Sequence, residues 1–397
     1  PASPAVRDTS GTTWVKQNLY YADGYVSGGI ASAADHSLAY GNAVYSNTLG
    51  LGTWEPYYSW DKTYGGYMYA ADDAWVGGWC RSTHHYDGEK WTHEGCFSSN
   101  DTYDIVTGMW GTGFRNLYAS CDSGDILWYD GFWAWTPVNM GVSSDLWDII
   151  GFAKDDIYTA GNWGNIFHFD GTSWEQFEDV PTIQSLNALW GSGPMDIFAV
   201  GDFGTILHYD GTSWHLMNSG TLEHLFGVWG ADGSDVYAVG FNGTILHYDG
   251  ISWQAEDSGT TQDLLGVWGV YDQDAGKQVV WAGGRGPLLL EKTIPIIGFN
   301  AVPSYGTAPL DTTFTNTTQL AYTSSTWDFG DGHTSTDSAP SHRYEKTGNY
   351  TVTLMMDSPS GQLELARPEY IQVEEPITGL TAWHDGPTLL GEPTTFN

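Results

Sequence analysis

The sequence predicts an all-β fold: a seven-bladed β-propeller closed by its own N-terminal strand, followed by a β-sandwich. Three observations carry that expectation. A signature Asp-Gly-x-x-Trp recurs about every 40 residues. Each clear copy follows three short runs rich in Val, Ile, Leu, Tyr and Trp, bounded by Gly, Asp and Asn, which read as strands. The first and last copies are fragments that complete each other.

The spacing sets the unit. Trp14, Trp54, Trp91, Trp135, Trp174, Trp214 and Trp253 are separated by 40, 37, 44, 39, 40 and 39 residues. That is the period of a four-stranded propeller blade. Asp87-Gly88, Asp170-Gly171, Asp210-Gly211 and Asp249-Gly250 lead to their tryptophans in register, and Asp130-Gly131 leads to Trp133 and Trp135 in an expanded copy. Trp54 ends a degenerate copy, and Trp14 stands alone. Residues 225–253 show the unit most cleanly. An inner strand A ends in Trp229-Gly230, strand B is Val236-Tyr237-Ala238, strand C runs Ile245 to Asp249, and strand D opens on Trp253.

Closure follows from counting. The last copy has strands A, B and C between Leu264 and Lys292 but no signature after them; Trp14, with Val15 to Asn18, is a strand D with no A, B or C before it. An open ring would leave strand edges bare, so pairing the two ends is favoured. The count gives seven blades over residues 11–293, after an N-terminal extension of residues 1–10. The first two copies match poorly, which leaves six and eight blades as alternatives.

The pattern changes at Ile294. Trp327-Asp328-Phe329-Gly330-Asp331-Gly332, then His342-Arg343-Tyr344, then Gly348-Asn349-Tyr350-Thr351-Val352-Thr353-Leu354 follow in a Thr- and Ser-rich stretch. Trp327 and Phe329 fall two apart and so face one side, and Tyr350, Val352 and Leu354 alternate inward. Gly330-Asp331-Gly332 supplies a tight turn. These motifs resemble a PKD domain, an immunoglobulin-like sandwich, over residues 294–374. Residues 375–397 open like a further sandwich strand but are too few to bury a core. They read as the start of another domain or as an exchangeable strand. The propeller itself resembles secreted microbial repeat proteins that carry VWG…DVYAVG…GTILHYDG..W units and are often joined to PKD-type sandwiches. That resemblance implies an extracellular, surface-associated ring without a defined catalytic site.

Charge and composition narrow the partners. With 48 acidic against 13 basic residues the net charge is −35, a field that repels nucleic acid and anionic membrane surfaces. No apolar run reaches the length of a transmembrane span, so direct membrane insertion is not expected. The chain starts at Pro1 and reads as a processed, exported protein. Sequons at Asn100, Asn242, Asn316 and Asn349 are glycosylation candidates that fit export.

Several polar and aromatic residues could carry chemistry or serve the framework. His85, His168, His208 and His247 occupy the same place in strand C of different blades. A ring spreads such residues about its axis, so they read as framework, not as a metal site. The Asp of each Asp-Gly reads as a hairpin-turn residue. Sites should lie where the repeat breaks. Arg81 and Arg285 fall in B–C turns and Arg115 in an A–B turn, on opposite faces, so they cannot form the carboxylate clamp of a sialidase. Asp272 and Asp274, in an Asp-x-Asp-x-Gly loop, are a candidate Ca²⁺ site with hard oxygen ligands; a solvated acidic turn is the competing reading. Trp79, Trp163, Phe203 and Phe241 fall in B–C turns around one rim and are candidates for stacking on glycans or meeting a partner; covering the next blade is the competing reading. Antiparallel counting from the turn at Asp87 to Lys90 sets Cys80 opposite Cys96, so a disulfide is expected there, with Cys121 left over. No nucleophile elbow, P-loop, dinucleotide fingerprint or HExxH motif occurs, and no cofactor is indicated beyond that Ca²⁺.

The function these readings support is a non-enzymatic extracellular scaffold of a cell surface or matrix. It would be structural or adhesive, would self-associate into a filament or layer or bind other surface proteins and glycans, and would use its terminal segment as a donated strand. A glycan-binding propeller and a secreted polysaccharide-active enzyme are the alternatives. The enzyme would need two convergent carboxylates at the channel mouth.

Overall fold

The structure is a computed structural model describing residues 6–7, 14–16, 26–33, 36–41, 44–47, 55–57, 63–70, 73–96, 104–113, 115–131, 135–141, 144–272, 277–285, 288–295, 297–318, 322–358 and 361–375. The described residues are all-β apart from four single 3₁₀ turns. It divides into two units, residues 11–296 and residues 297–397 together with residues 4–10.

Among the described residues the first unit holds seven four-stranded antiparallel sheets. Their innermost strands are Val26–Ala33, Thr63–Ala70, Val106–Gly111, Leu146–Ala153, Leu186–Gly193, Leu225–Asp232 and Leu264–Asp272. Each packs against the next, and the last against the first, so the ring is closed. The Trp-Gly ending of strand A explains itself here. The indoles of Trp110, Trp190 and Trp229 lie on Gly151, Gly230 and Gly269 of the following sheet, where a Cβ would stand 2.6–2.8 Å from the ring. No other residue leaves that space, so the dipeptide is a blade-to-blade joint.

The seventh sheet is completed from the N-terminus, as the two sequence fragments require. Val15–Lys16 pairs with Leu289–Pro295, Val15 opposite Glu291 and Lys16 opposite Leu290. The joint is fastened to the sixth sheet. The Trp14 indole donates to Glu256 Oε2 at 2.9 Å, and Trp14 meets Tyr237 edge-on. The buried Lys292 ammonium donates to the other oxygen of Glu256 at 2.8 Å.

Histidines and turn aspartates take the framework roles assigned to them. His85, His168, His208 and His247 bond through Nε2 to Asp73, Asp156, Asp196 and Asp235 at the start of strand B, at 2.7–3.0 Å. Each imidazole stacks on the strand-B aromatic beside it: Trp75, Tyr158, Phe198 or Tyr237. Asp170, Asp210 and Asp249 each accept the backbone N–H of the residues two and three further on. The glycine that follows takes a left-handed φ of 85–90°, which glycine adopts without steric cost.

The second unit is a sandwich. One sheet runs Gly361–Glu374, Gly348–Ser358, Ser324–Asp328 and Thr334–Ser335; the other joins Phe299–Val302, Leu310–Asn316 and Ser341–Tyr344. Trp327, Phe329, Val352 and Leu354 are buried together with Phe299, Phe314 and Tyr344, so these predicted inward positions form the core; Tyr350, also expected inward, is only partly buried against it, beyond a register shift before Val352. Val6–Arg7, read from the sequence as an extension, lies antiparallel to Gly361–Glu374, Val6 opposite Leu365. Residues 376–397, the expected further strand, lie outside the described residues.

One register differs from expectation. The second-sheet hairpin pairs Trp91 with Tyr86 and His93 with His84, but a bulge then sets Cys96 opposite Ser82, not Cys80. Straight counting misses that extra residue. Cys80 sits upstream in the 3₁₀ turn Trp79–Arg81, and the Cys96 side chain lies outside the described residues.

Candidate functional site

The B–C turns form one rim, and their backbone dictates what they can present. Three are Gly-x-x-Gly: Gly161 to Gly164, Gly201 to Gly204 and Gly240 to Gly243. In each, the N–H after the turn donates to the carbonyl of its first central residue, at 3.0–3.2 Å. The second central residue is left-handed: Trp163 at φ 64°, Phe203 at 53° and Asn242 at 55°. A large side chain there costs on the order of 1–3 kcal/mol. The closing glycine meets the carbonyl of Thr182, Thr221 or Thr260, with no room for a Cβ. The strand D–to–A connections that carry these threonines therefore lie on the same rim.

The four predicted rim aromatics divide by turn position. Trp163 and Phe203 are the left-handed second residues, 72% and 56% exposed. Trp79 is a first residue and 44% exposed. Phe241, also a first residue, is half-buried. It packs 4.7 Å from Phe226 and 5.3 Å from His224, which in turn meets Phe203 at 4.7 Å. His224 Nδ1 bonds to Asp202 Oδ1 at 2.8 Å, which fixes the ring. A ladder of rings thus runs from Phe203 to Phe226, which lines the central channel. Exposed Ile183 and Leu222, next to the capping threonines, extend the apolar face. His224, Phe226, Ile183 and Leu222 were missed from the sequence. Aligning the loops after Thr182, Thr221 and Thr260, as the strands were aligned, would have found the two aliphatic residues.

The channel has a volume of about 1050 Å³ and is lined by aromatic side chains, Tyr64, Trp110, Trp147 and Trp190 among them, by glycines and aliphatic residues, and by the polar Thr107, Asn187 and Arg285. Asp148 breaks the inner-strand pattern. The matching inner-strand position is Gly65, Gly108, Ala188, Gly227 or Gly266 in other sheets. Asp148 Oδ2 accepts the Leu189 N–H of the neighbouring sheet, and Oδ1 accepts the Ile149 N–H, both at 2.8 Å. Burial outweighs these bonds and pushes the carboxyl up to about 7. Among the described residues lining the channel it is the only carboxylate.

The remaining candidates separate cleanly. Arg81 stands where other B–C turns have their closing glycine and pairs with Asp104 at 2.6 Å and Asp125 at 2.7 Å. Arg285 pairs with Asp263 at 3.2 Å. Both are tied down within their own rim, and Arg115 lies in an A–B turn. Cys121 is buried, which raises its thiol well above the ordinary range. Asp272 ends its inner strand opposite Lys277, while its side chain and the whole of Asp274 lie outside the described residues, as does Asn100. Asn242 and Asn349 are exposed; Asn316 is half-buried, its amide against Met356 Sδ and its carbonyl accepting the Thr318 N–H. No helix of the described residues is long and apolar enough to cross a membrane.

Comparisons with known proteins agree with this architecture. Residues 293–373 match the PKD domain family. No curated protein matches the chain by sequence. Among solved structures, YCF48 bound to D1 peptide superposes with a TM-score of 0.58 at 14% identity, over 73% of this chain and 99% of that one. YCF48 from Cyanidioschyzon merolae gives 0.56 at 14%, over 70% and 98%. The WD40 β-propeller domain of Doa1 gives 0.54 at 13%, over 71% and 97%. At these identities the likeness is one of fold. The chain is a β-propeller joined to a PKD domain, an architecture that fits an extracellular protein-interaction module.

Proposed function

We propose that this protein is a non-enzymatic scaffold of a cell surface or extracellular matrix, and that the rim of B–C turns is its adhesive surface. One observation carries the reading. Trp163 and Phe203 are held largely exposed on left-handed backbone, a conformation that bulky residues adopt at a cost and that clusters at functional sites. Exposed Trp79, Ile183 and Leu222 surround the same rim, as a partner-binding surface requires. The repeated histidines and aspartates are meanwhile occupied within the blades. Export would expose Asn242 and Asn349 to glycosylation. Self-association into a filament or layer, with residues 375–397 donating a strand, is the assembly mode we favour.

A second reading has its own support. The exposed face of Trp163 suits the C–H face of a sugar ring, so a glycan is the alternative partner. A glycan array probed with the full chain, beside electron microscopy of native material, separates the two. Filaments or a lattice with no glycan binding favour the scaffold. A monomer that binds a defined glycan class replaces it.

A further inference from the structure

We propose that Asp331, His333 and His342 form a site for a divalent transition metal, Zn²⁺ above others, on the PKD domain. The three ligand atoms all lie within 4.8 Å of one another. Asp331 Oδ2 is 2.8 Å from His342 Nε2, and Oδ1 is 3.1 Å from His333 Nδ1. Ligands around a tetrahedral zinc stand about 3.4 Å apart at bond lengths near 2.1 Å, so an opening of a few tenths of an ångström at each hydrogen bond admits the ion.

The surroundings hold two of the three ligands ready. The tight turn at Gly330 and Gly332, with φ of 80° and 93°, aims Asp331, whose Oδ1 also accepts the His333 N–H. His342 lies flat on buried Phe329, 4.2 Å away with 4° between the planes, and meets Tyr344 edge-on. That ring cannot turn without unstacking. His333 is different: its side chain is 73% exposed against 12% for His342. The fold gains little from it. It nevertheless supplies the second imidazole on the open side of Asp331, leaving the outer positions of an ion to water. Two imidazoles and one carboxylate suit Zn²⁺ and exclude Ca²⁺, which takes oxygen.

Calorimetric titration of the full chain with Zn²⁺ at pH 7.5, in the presence of Ca²⁺ to occupy the acidic surface, tests this. The expected result is one site per chain, weakened on the order of tenfold or more in His333→Ala while the melting temperature of the unloaded protein is unchanged. The His333 and His342 imidazole resonances should shift together on loading. Equal Zn²⁺ affinity in the parent and His333→Ala, or resonance shifts confined to other histidines, would overturn the site.

Discussion

The propeller and the sandwich both contain a histidine bonded to an aspartate and stacked on an aromatic ring, yet the two regions use the unit differently. In the propeller, His208 is bonded to Asp196 and laid on Phe198, and the arrangement recurs in other blades. Its Nε2–carboxylate bond joins strand C to strand B. In the sandwich, His342 is bonded to Asp331 and laid on Phe329, but a second, exposed imidazole has joined the same carboxylate. The lesson is that residue type does not make a site. A pair whose bonds are all inward is framework, and one extra ligand that the fold does not need changes its meaning.

Substitutions sharpen that contrast by trading stability against binding. The largest stability loss is expected on the framework side. Glu256→Ala removes the acceptor shared by Trp14 and Lys292 and leaves a buried ammonium, at a cost of about 3–5 kcal/mol. Denaturant unfolding should show it, and a loss under 1 kcal/mol would mean that the ring does not depend on this clasp.

Asp148 gives the next effect, through pH. Its folded value near 7 lies above the ordinary carboxyl value near 4. The native state therefore keeps a proton that the unfolded chain has lost, and the contribution to stability is full below about pH 4 and disappears as pH rises to 7. Asp148→Asn retains an acceptor for only one of the two backbone N–H groups but abolishes the dependence. Its stability relative to the parent should rise by up to about 4 kcal/mol between pH 4 and 8, read as the difference between two urea series. A constant difference would place the titration elsewhere.

His208→Ala should cost about 1–3 kcal/mol by removing the imidazole partner of half-buried Asp196 Oδ1, with no change in zinc binding. His333→Ala should cost under about 0.5 kcal/mol. Reversal of that order would erase the distinction between the two units. Trp163→Ala belongs with the small effects on stability, since it removes an exposed ring from a strained position.

The sequence made the framework legible because the framework repeats. Trp14 could be placed in the last sheet because a strand was missing there, and the framework role of His247 followed from its copies. What repeats least was hardest to see. Asp148 occupies a glycine position, which periodic matching treats as noise. The bulge that moves Cys96 opposite Ser82 leaves no mark on a residue count. His333 follows a motif without belonging to it, and only the turn at Gly332 brings it back to Asp331. The rim aromatics were visible by position, but the split between exposed Trp163 and packed Phe241 depends on which turn residue is left-handed.

The adhesive role of the rim is tested most directly by replacing Trp79, Trp163, Phe203 and Leu222 together with serine and measuring retention on native cell-surface material. The rim account predicts at least a tenfold loss of retention with melting temperature and circular dichroism unchanged. Undiminished retention by a folded variant would contradict it and would move the adhesive surface off this face of the ring.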